Sequence, residues 1–261
     1  MKMDYEMINK LYEPPAIANM EDLNRKLKDL HKMRSKSPQE TLILQARALG
    51  YGMPLNLSHN HVEVRPSPVH GVGVFATQDI PANTIMTFYQ CSGIYIDEGI
   101  FLIDADNEKF KERVLPERLL HTYGVAGETY GFKQVSLVGD PGKQDNKLLL
   151  GHLINDGSGN PYTGISYSDI IKPVNFKNAM VRYFLNNDKI NCKWVFHKKI
   201  PVVPIVSKRL IKKDEELFVR YEPSYWFDLE YDKNTVIDNE YTNLIDKVKD
   251  KAFVNILKKY I

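Results

Sequence analysis

Three short segments and one isolated tyrosine carry residue types that could hold a small charged ligand and orient a reacting group. Glu215-Glu216-Leu217-Phe218-Val219-Arg220-Tyr221 is an acidic pair running into an apolar alternation that ends on a tyrosine. Gly71-Val72-Gly73-Val74-Phe75-Ala76 sets two glycines one residue apart, which lets backbone come close to a ligand with no side chain between. Gly151-His152-Leu153-Ile154-Asn155-Asp156 ends on an Asn–Asp pair, and a carboxamide donates and accepts hydrogen bonds at once. Tyr89, within Met86-Thr87-Phe88-Tyr89-Gln90, offers a second hydroxyl. Each has a bland reading. Glycine pairs recur in hairpins, an Asn–Asp turn bonds its own backbone, and a buried tyrosine needs only one partner. The glycine pair is not a dinucleotide fingerprint, because the third glycine and the following helix are missing and Pro81-Ala82-Asn83-Thr84 reads as a turn.

The surrounding elements are mostly strands. From about 60 to 222, Pro66, Pro68, Gly71, Gly73, Pro81, Gly93 and Gly99 punctuate short runs rich in Val, Ile, Phe and Tyr. Val62 to Val64, Val72 to Ala76, Thr84 to Tyr89, Gly93 to Ile96, Met180 to Leu185, Lys193 to Phe196, Val202 to Val206 and Glu216 to Arg220 are the strand candidates. Glu108 to Leu120 reads as a short helix, and 157–177 as a long surface loop. Residues 1–58 form a helical flank: Leu23, Leu27, Leu30 and Met33 recur at helical spacing. Ser37-Pro38-Gln39-Glu40 is a capping box with proline at the first helical position. A second helical flank covers 226–261, with Leu244, Val248, Ala252 and Ile256 four apart. The organisation is therefore a mainly β domain over 59–225 between two helical flanks.

Bulk properties remove several classes. The chain of 261 residues carries a net charge of +2, which does not point to nucleic-acid coating. Apolar residues at 43% and charged residues at 26% are those of a globular protein. Two cysteines, Cys91 and Cys192, cannot make a four-thiolate zinc site, and no metal site is expected. They fit a reducing intracellular setting, nucleus or cytoplasm. No run reaches the roughly 18–20 apolar residues of a membrane helix, and the polar N-terminus does not read as a secretory signal. The basic face of the first flank (Arg25, Lys26, Lys28, Lys32, Arg34 and Lys36) is read as a solvated helix face or an acidic-partner surface.

Taken together and in order, GVGVFATQDIPANTIMTFY (71–89), GHLIND (151–156) and PIVSKRLIKKDEELFVRY (204–221) resemble the landmarks of SET-domain protein lysine methyltransferases. The likeness covers roughly residues 60–225, and TIMTFY and EELFVRY resemble the histone-methylating subgroup. The resemblance implies a knot-like fold of small β-sheets, with S-adenosylmethionine and the target lysine entering a narrow channel from opposite faces. It implies that Gly71, Val72, Gly73, Phe75, Asn155, Asp156, Tyr221 and Trp226 bind the cofactor. It makes Tyr221 the catalytic tyrosine and Tyr89 a wall of the lysine channel. The implied partner is a protein with an exposed lysine, a histone tail foremost. Neither membrane nor nucleic acid is implied, and a homodimer through the helical flanks is an open expectation.

Three departures from the pattern stand out. Asp156 occupies a position where the family has histidine. The family's second asparagine is either Asn178 (in Asn178-Ala179) or Asn191 (in Asn191-Cys192). The cysteine-rich zinc cluster that follows many SET domains is missing, and the aromatic run Pro223-Ser224-Tyr225-Trp226-Phe227 stands where it could close the channel or simply pack a core. Three functional classes follow: a methyltransferase of histones or other proteins, a SET-fold interaction module without catalysis, and an unrelated β-rich binding domain.

Overall fold

The structure is a computed structural model that describes residues 17–28, 30–32, 37–50, 57, 61–96, 99–102, 124–126, 135–160, 178–179, 182–183, 186, 188–197, 200–221 and 225–226. The expected helices at 108–120 and 244–256 and most of the expected loop at 157–177 lie outside these residues. The chain divides into two units, Met1–Asn155 with Asn191–Leu217, and Asp156–Ile190 with Phe218–Ile261.

The first unit opens with helix α1, Met20–Lys26, whose Asn19 side chain accepts from the amides of Glu21 (2.9 Å) and Asp22 (3.1 Å). A 3-10 turn, Leu30–Lys32, and helix α2, Pro38–Gly50, follow. Ser37 Oγ accepts from the Glu40 amide at 3.1 Å, the bond its capping sequence predicts. Ser37→Ala is expected to lower stability by about 1 kcal/mol, read as a reduced urea midpoint, while Ser37→Asn retains it.

Leu23, Leu27 and Leu30 bury their shared stripe in one core with Leu49, Ile85, Phe88, Ile200, Val202 and Val206. Leu42 and Ala46 of α2 join a second core with Tyr89, Ile94, Ile96, Val135, Leu137 and Val203. These helices therefore pack on strands of the same unit. Strands β1 (Val62–Pro66) and β2 (Val72–Ala76) form an antiparallel hairpin. Strands β3 (Ile85–Phe88), β10 (Pro204–Ser207) and β9 (Cys192–Trp194) form a sheet in the order β3-β10-β9. Strands β4 (Gly93–Ile96), β5 (Gly99–Leu102), β6 (Gly124–Ala126) and β7 (Val135–Val138) form another, in the order β5-β4-β7-β6.

In the second unit, β11 (Phe218–Val219) pairs with the short strand β8 (Asn155–Asp156), whose Asp156 belongs to this unit. The Gly157 amide donates to Val219 O at 2.8 Å. The strand expected at Met180 to Leu185 is corrected: Asn178, Ala179, Arg182 and Tyr183 are helical. Ala179 and Tyr183 are buried while Asn178 and Arg182 are exposed, a four-residue spacing that suits a helix and not a strand.

Candidate functional site

In the first unit the glycine hairpin, Asn155 and Glu216 meet. The β1–β2 turn closes through the Ser67 amide donating to Gly71 O at 2.9 Å. Gly71 takes φ +51°, a left-handed conformation that a side chain would strain. Ser67 Oγ donates to both oxygens of the Glu216 carboxylate, at 2.8 and 3.0 Å. Asn155 Nδ2 donates to Glu216 Oε1 at 2.9 Å, to Val72 O at 3.0 Å and, more weakly, to His70 O at 3.4 Å. These partners are all acceptors, so they hold the amide with its nitrogen toward the hairpin. The amide oxygen makes none of these bonds and is left to accept from a donor such as an ammonium group.

Gly73 sits against this carboxylate. A Cβ there would overlap Glu216 Oε1 and stand 2.8 Å from Glu216 Cδ. Glu216 is buried at 6% exposure, and its strand is fixed to the hairpin by Ala76 N to Glu215 O (2.9 Å) and Leu217 N to Val74 O (2.7 Å). Phe75 lies beneath the Arg65 guanidinium, 5.4 Å from its centroid. The four glycine-hairpin positions and Asn155 are thus assembled in one place. Glu216 and Ser67 were not singled out from the sequence, although the acidic pair before Leu217 was its most conspicuous feature.

Tyr89 lies elsewhere in this unit. Its amide donates to Val203 O at 2.8 Å. Its ring meets His152 edge-on at 6.3 Å and Trp194 edge-on at 6.4 Å, a geometry aromatic quadrupoles favour. His152 is buried, and among the described residues neither ring nitrogen has a well-aligned hydrogen-bond partner. Burial pushes its pKa down from 6.5 to about 4, opposed only in part by nearby groups of Asp140, Lys143 and Leu149.

His152 therefore makes a signed prediction. The unfolded state binds the proton first, so its contribution is intact above about pH 6.5 and is lost as pH falls toward about 4. The loss is worth about 3 kcal/mol at most. Urea unfolding across that window should show a steeper decline for the wild type than for His152→Phe; parallel profiles would contradict it.

The second asparagine is placed differently at its two candidate positions. Asn191 is fully buried, and its Nδ2 donates to Glu216 O at 2.8 Å and to Glu215 Oε1 at 3.1 Å. Asn178 lies exposed on a helical turn of the second unit.

The second unit holds Asp156, Tyr221 and Trp226. Asp156 is 5% exposed; its Oδ1 accepts from the Ser158 amide at 2.8 Å and its Oδ2 from Trp226 Nε1 at 2.7 Å. Burial raises its pKa, with Trp226, the Ser158 amide, the Tyr183 hydroxyl and the Ser158 hydroxyl acting in the opposite sense. The Tyr183 hydroxyl donates to Tyr221 O. Tyr183 is fully buried, and the Arg220 guanidinium stands 5.8 Å from its centroid. Tyr221 meets Tyr225 edge-on at 4.6 Å, and Tyr225 meets Trp226 edge-on at 5.0 Å. Tyr183 and Tyr225 had no assigned role in the sequence, where fifteen tyrosines offered no way to choose.

The family model for the SET domain matches residues 71–222, more than half of the chain. The chain belongs to the SET-domain family. The resemblance read from the glycine hairpin, the Asn155 turn and the strand ending at Tyr221 is thereby established, and so is the mainly β fold. No curated protein matches the sequence. Among solved structures it is similar to a Plasmodium falciparum protein whose title gives it as a candidate histone methyltransferase. That likeness has 17% identity and a TM-score of 0.34, over 64% of this chain and 98% of that one. Within this SET domain, Gly71, Gly73, Asn155 and Tyr89 stand in the first unit, and Asp156, Tyr221 and Trp226 in the second.

Proposed function

We propose that this SET domain is an S-adenosylmethionine-dependent protein lysine N-methyltransferase acting on basic protein segments of the histone-tail type. The observation that carries the reading is the Asn155 amide, held nitrogen-first on Glu216 Oε1 and Val72 O within a matched SET domain. Its oxygen is then a fixed acceptor suited to the ammonium of an amino-acid-bearing cofactor. Gly71, Val72, Gly73 and Phe75 supply the hairpin beside it, and Asp156 contributes backbone. S-adenosylmethionine supplies, when bound, a sulfonium-activated methyl group.

The chain's own work is on the lysine. A free lysine ammonium has a pKa near 10.4, so only roughly one in 2,500 is neutral at pH 7. Tyr89, 6% exposed and walled by two aromatic rings, belongs to an apolar environment that disfavours the ammonium. The Tyr221 hydroxyl orients the amine for an in-line displacement, and alignment of this kind contributes several kcal/mol. No nucleophilic thiol is called for, and burial pushes the Cys91 thiol up to about 12, where it stays protonated. Asp97, Glu98, Asp104, Asp106 and Glu108 give the substrate loop an acidic character that attracts a basic tail.

Calorimetry with S-adenosylhomocysteine, followed by offering core histones and a whole-cell protein extract as acceptors, tests the reading. Cofactor binding with methylation of histones supports it in full. Methylation confined to other extract proteins moves the substrate class. Binding with no acceptor favours a non-catalytic SET module, the reading that Asp156 in place of histidine would suit.

A further inference from the structure

Asp156 departs from the family, and its carboxylate faces a tryptophan that follows the matched domain. Asp156 Oδ2 accepts from Trp226 Nε1 at 2.7 Å. The Trp226 ring abuts Tyr225, with centroids 5.0 Å apart at 86°. Tyr225 in turn abuts Tyr221, 4.6 Å apart at 77°. A second arm reaches the same residue: the hydroxyl of the fully buried Tyr183 donates to Tyr221 O. Tyr221 is thus gripped by its ring on one side and its backbone on the other. The ring-side grip traces back through two edge-on contacts to one charged hydrogen bond.

We infer that Asp156 is a positioning residue for Tyr221: it fastens Trp226, and Trp226 and Tyr225 set the orientation of the Tyr221 ring. The inference rests on the proposed catalytic role of Tyr221. It gives the post-domain aromatic run a definite task, latching without metal. An anchor of this kind must accept a hydrogen bond from an indole N–H, which a carboxylate does strongly because it is charged. Each edge-on ring pair adds a directional preference that a purely apolar contact lacks. Trp226 spends its one donor on Asp156, so its effect on the reaction passes through position and not through a polar contact to the cofactor.

Three variants test this in the full chain: Asp156→Ala, Asp156→Asn and Trp226→Phe. Asp156→Ala and Trp226→Phe should each lower kcat by roughly ten- to hundredfold, with KM for cofactor and for protein unchanged within about twofold. The double variant should be no worse than either alone, because both remove the same bond. Asp156→Asn, whose amide oxygen still accepts from the indole, should recover most of the rate. A rise in cofactor KM at constant kcat would instead make Trp226 a cofactor contact and overturn the inference, as would wild-type kcat in Asp156→Ala.

A readout independent of catalysis separates this inference from the proposed activity. The chain has two tryptophans, so two indole N–H resonances are expected, with that of Trp226 assigned by its loss in Trp226→Phe. The Trp226 resonance should shift in Asp156→Ala, and the Tyr221 ring resonances should shift in both Asp156→Ala and Trp226→Phe. A Tyr221 ring unmoved by either substitution would overturn the latch even in a chain that transfers no methyl group.

Discussion

Tyr221→Phe is expected to reduce methyl transfer by roughly 10²–10³-fold, the range set by removing one preorganised polar group at a reacting centre. The substitution deletes a single oxygen and keeps the ring, so the 4.6 Å edge-on contact with Tyr225 survives. The bond from Tyr183 goes to the Tyr221 carbonyl and is untouched. Stability should therefore change by less than about 1 kcal/mol. Affinity for S-adenosylhomocysteine should also stay close to wild type. Single-turnover transfer beside a thermal melt checks both halves: a full rate in Tyr221→Phe removes the catalytic assignment, and a large fall in melting temperature makes the residue structural.

Gly73→Ala is expected to weaken S-adenosylhomocysteine binding by at least roughly tenfold and to cost about 1–3 kcal/mol of stability. The added methyl would overlap Glu216 Oε1, lie 2.8 Å from Glu216 Cδ and stand 3.2 Å from Asn155 Nδ2. A flexible side chain would swing aside at little cost. This one is buried and takes bonds from Ser67 and Asn155. Moving it releases the amide nitrogen whose engagement sets the direction of the Asn155 oxygen. Asn155→Ala should weaken the same ligand while costing less stability, because it creates no overlap. 5′-Methylthioadenosine lacks the amino-acid end and should lose much less affinity in either variant. Equal losses for both nucleosides would show that the Asn155 oxygen does not receive the ammonium.

The fold was readable wherever local pattern and tertiary role agreed. The strand at Gly93–Ile96 was legible residue for residue, and the Ser37 cap followed from its spacing. Leu23, Leu27 and Leu30 gave their buried stripe directly. The segment around Tyr183 was misread because its β-branched and aromatic residues mimic a strand. Its helical turns bury Ala179 and Tyr183 and carry the Tyr183 hydroxyl to the Tyr221 carbonyl, a long-range demand no local window contains.

The site was partly legible for the same reason. Gly71, Gly73, Asn155 and Tyr221 belong to ordered motifs that can be matched as strings. Glu216 acts across 61 residues on Asn155, and Ser67 across 149 on Glu216. Such pairings arise only once the chain folds. Asp156 shows the opposite case. Its departure from the family was visible in the sequence, but the meaning of that departure depends on Trp226, seventy residues on.

The most direct test is transfer of a radiolabelled methyl group from S-adenosylmethionine to core histones and to a whole-cell protein extract, with the labelled product hydrolysed and its amino acids separated. Label in N-methyl-lysine, abolished in Tyr221→Phe and sharply reduced in Gly73→Ala, is the predicted result. Absence of methyl-lysine from every acceptor, in a preparation shown by calorimetry to bind S-adenosylhomocysteine, would contradict it and leave a cofactor-binding SET module without transferase activity.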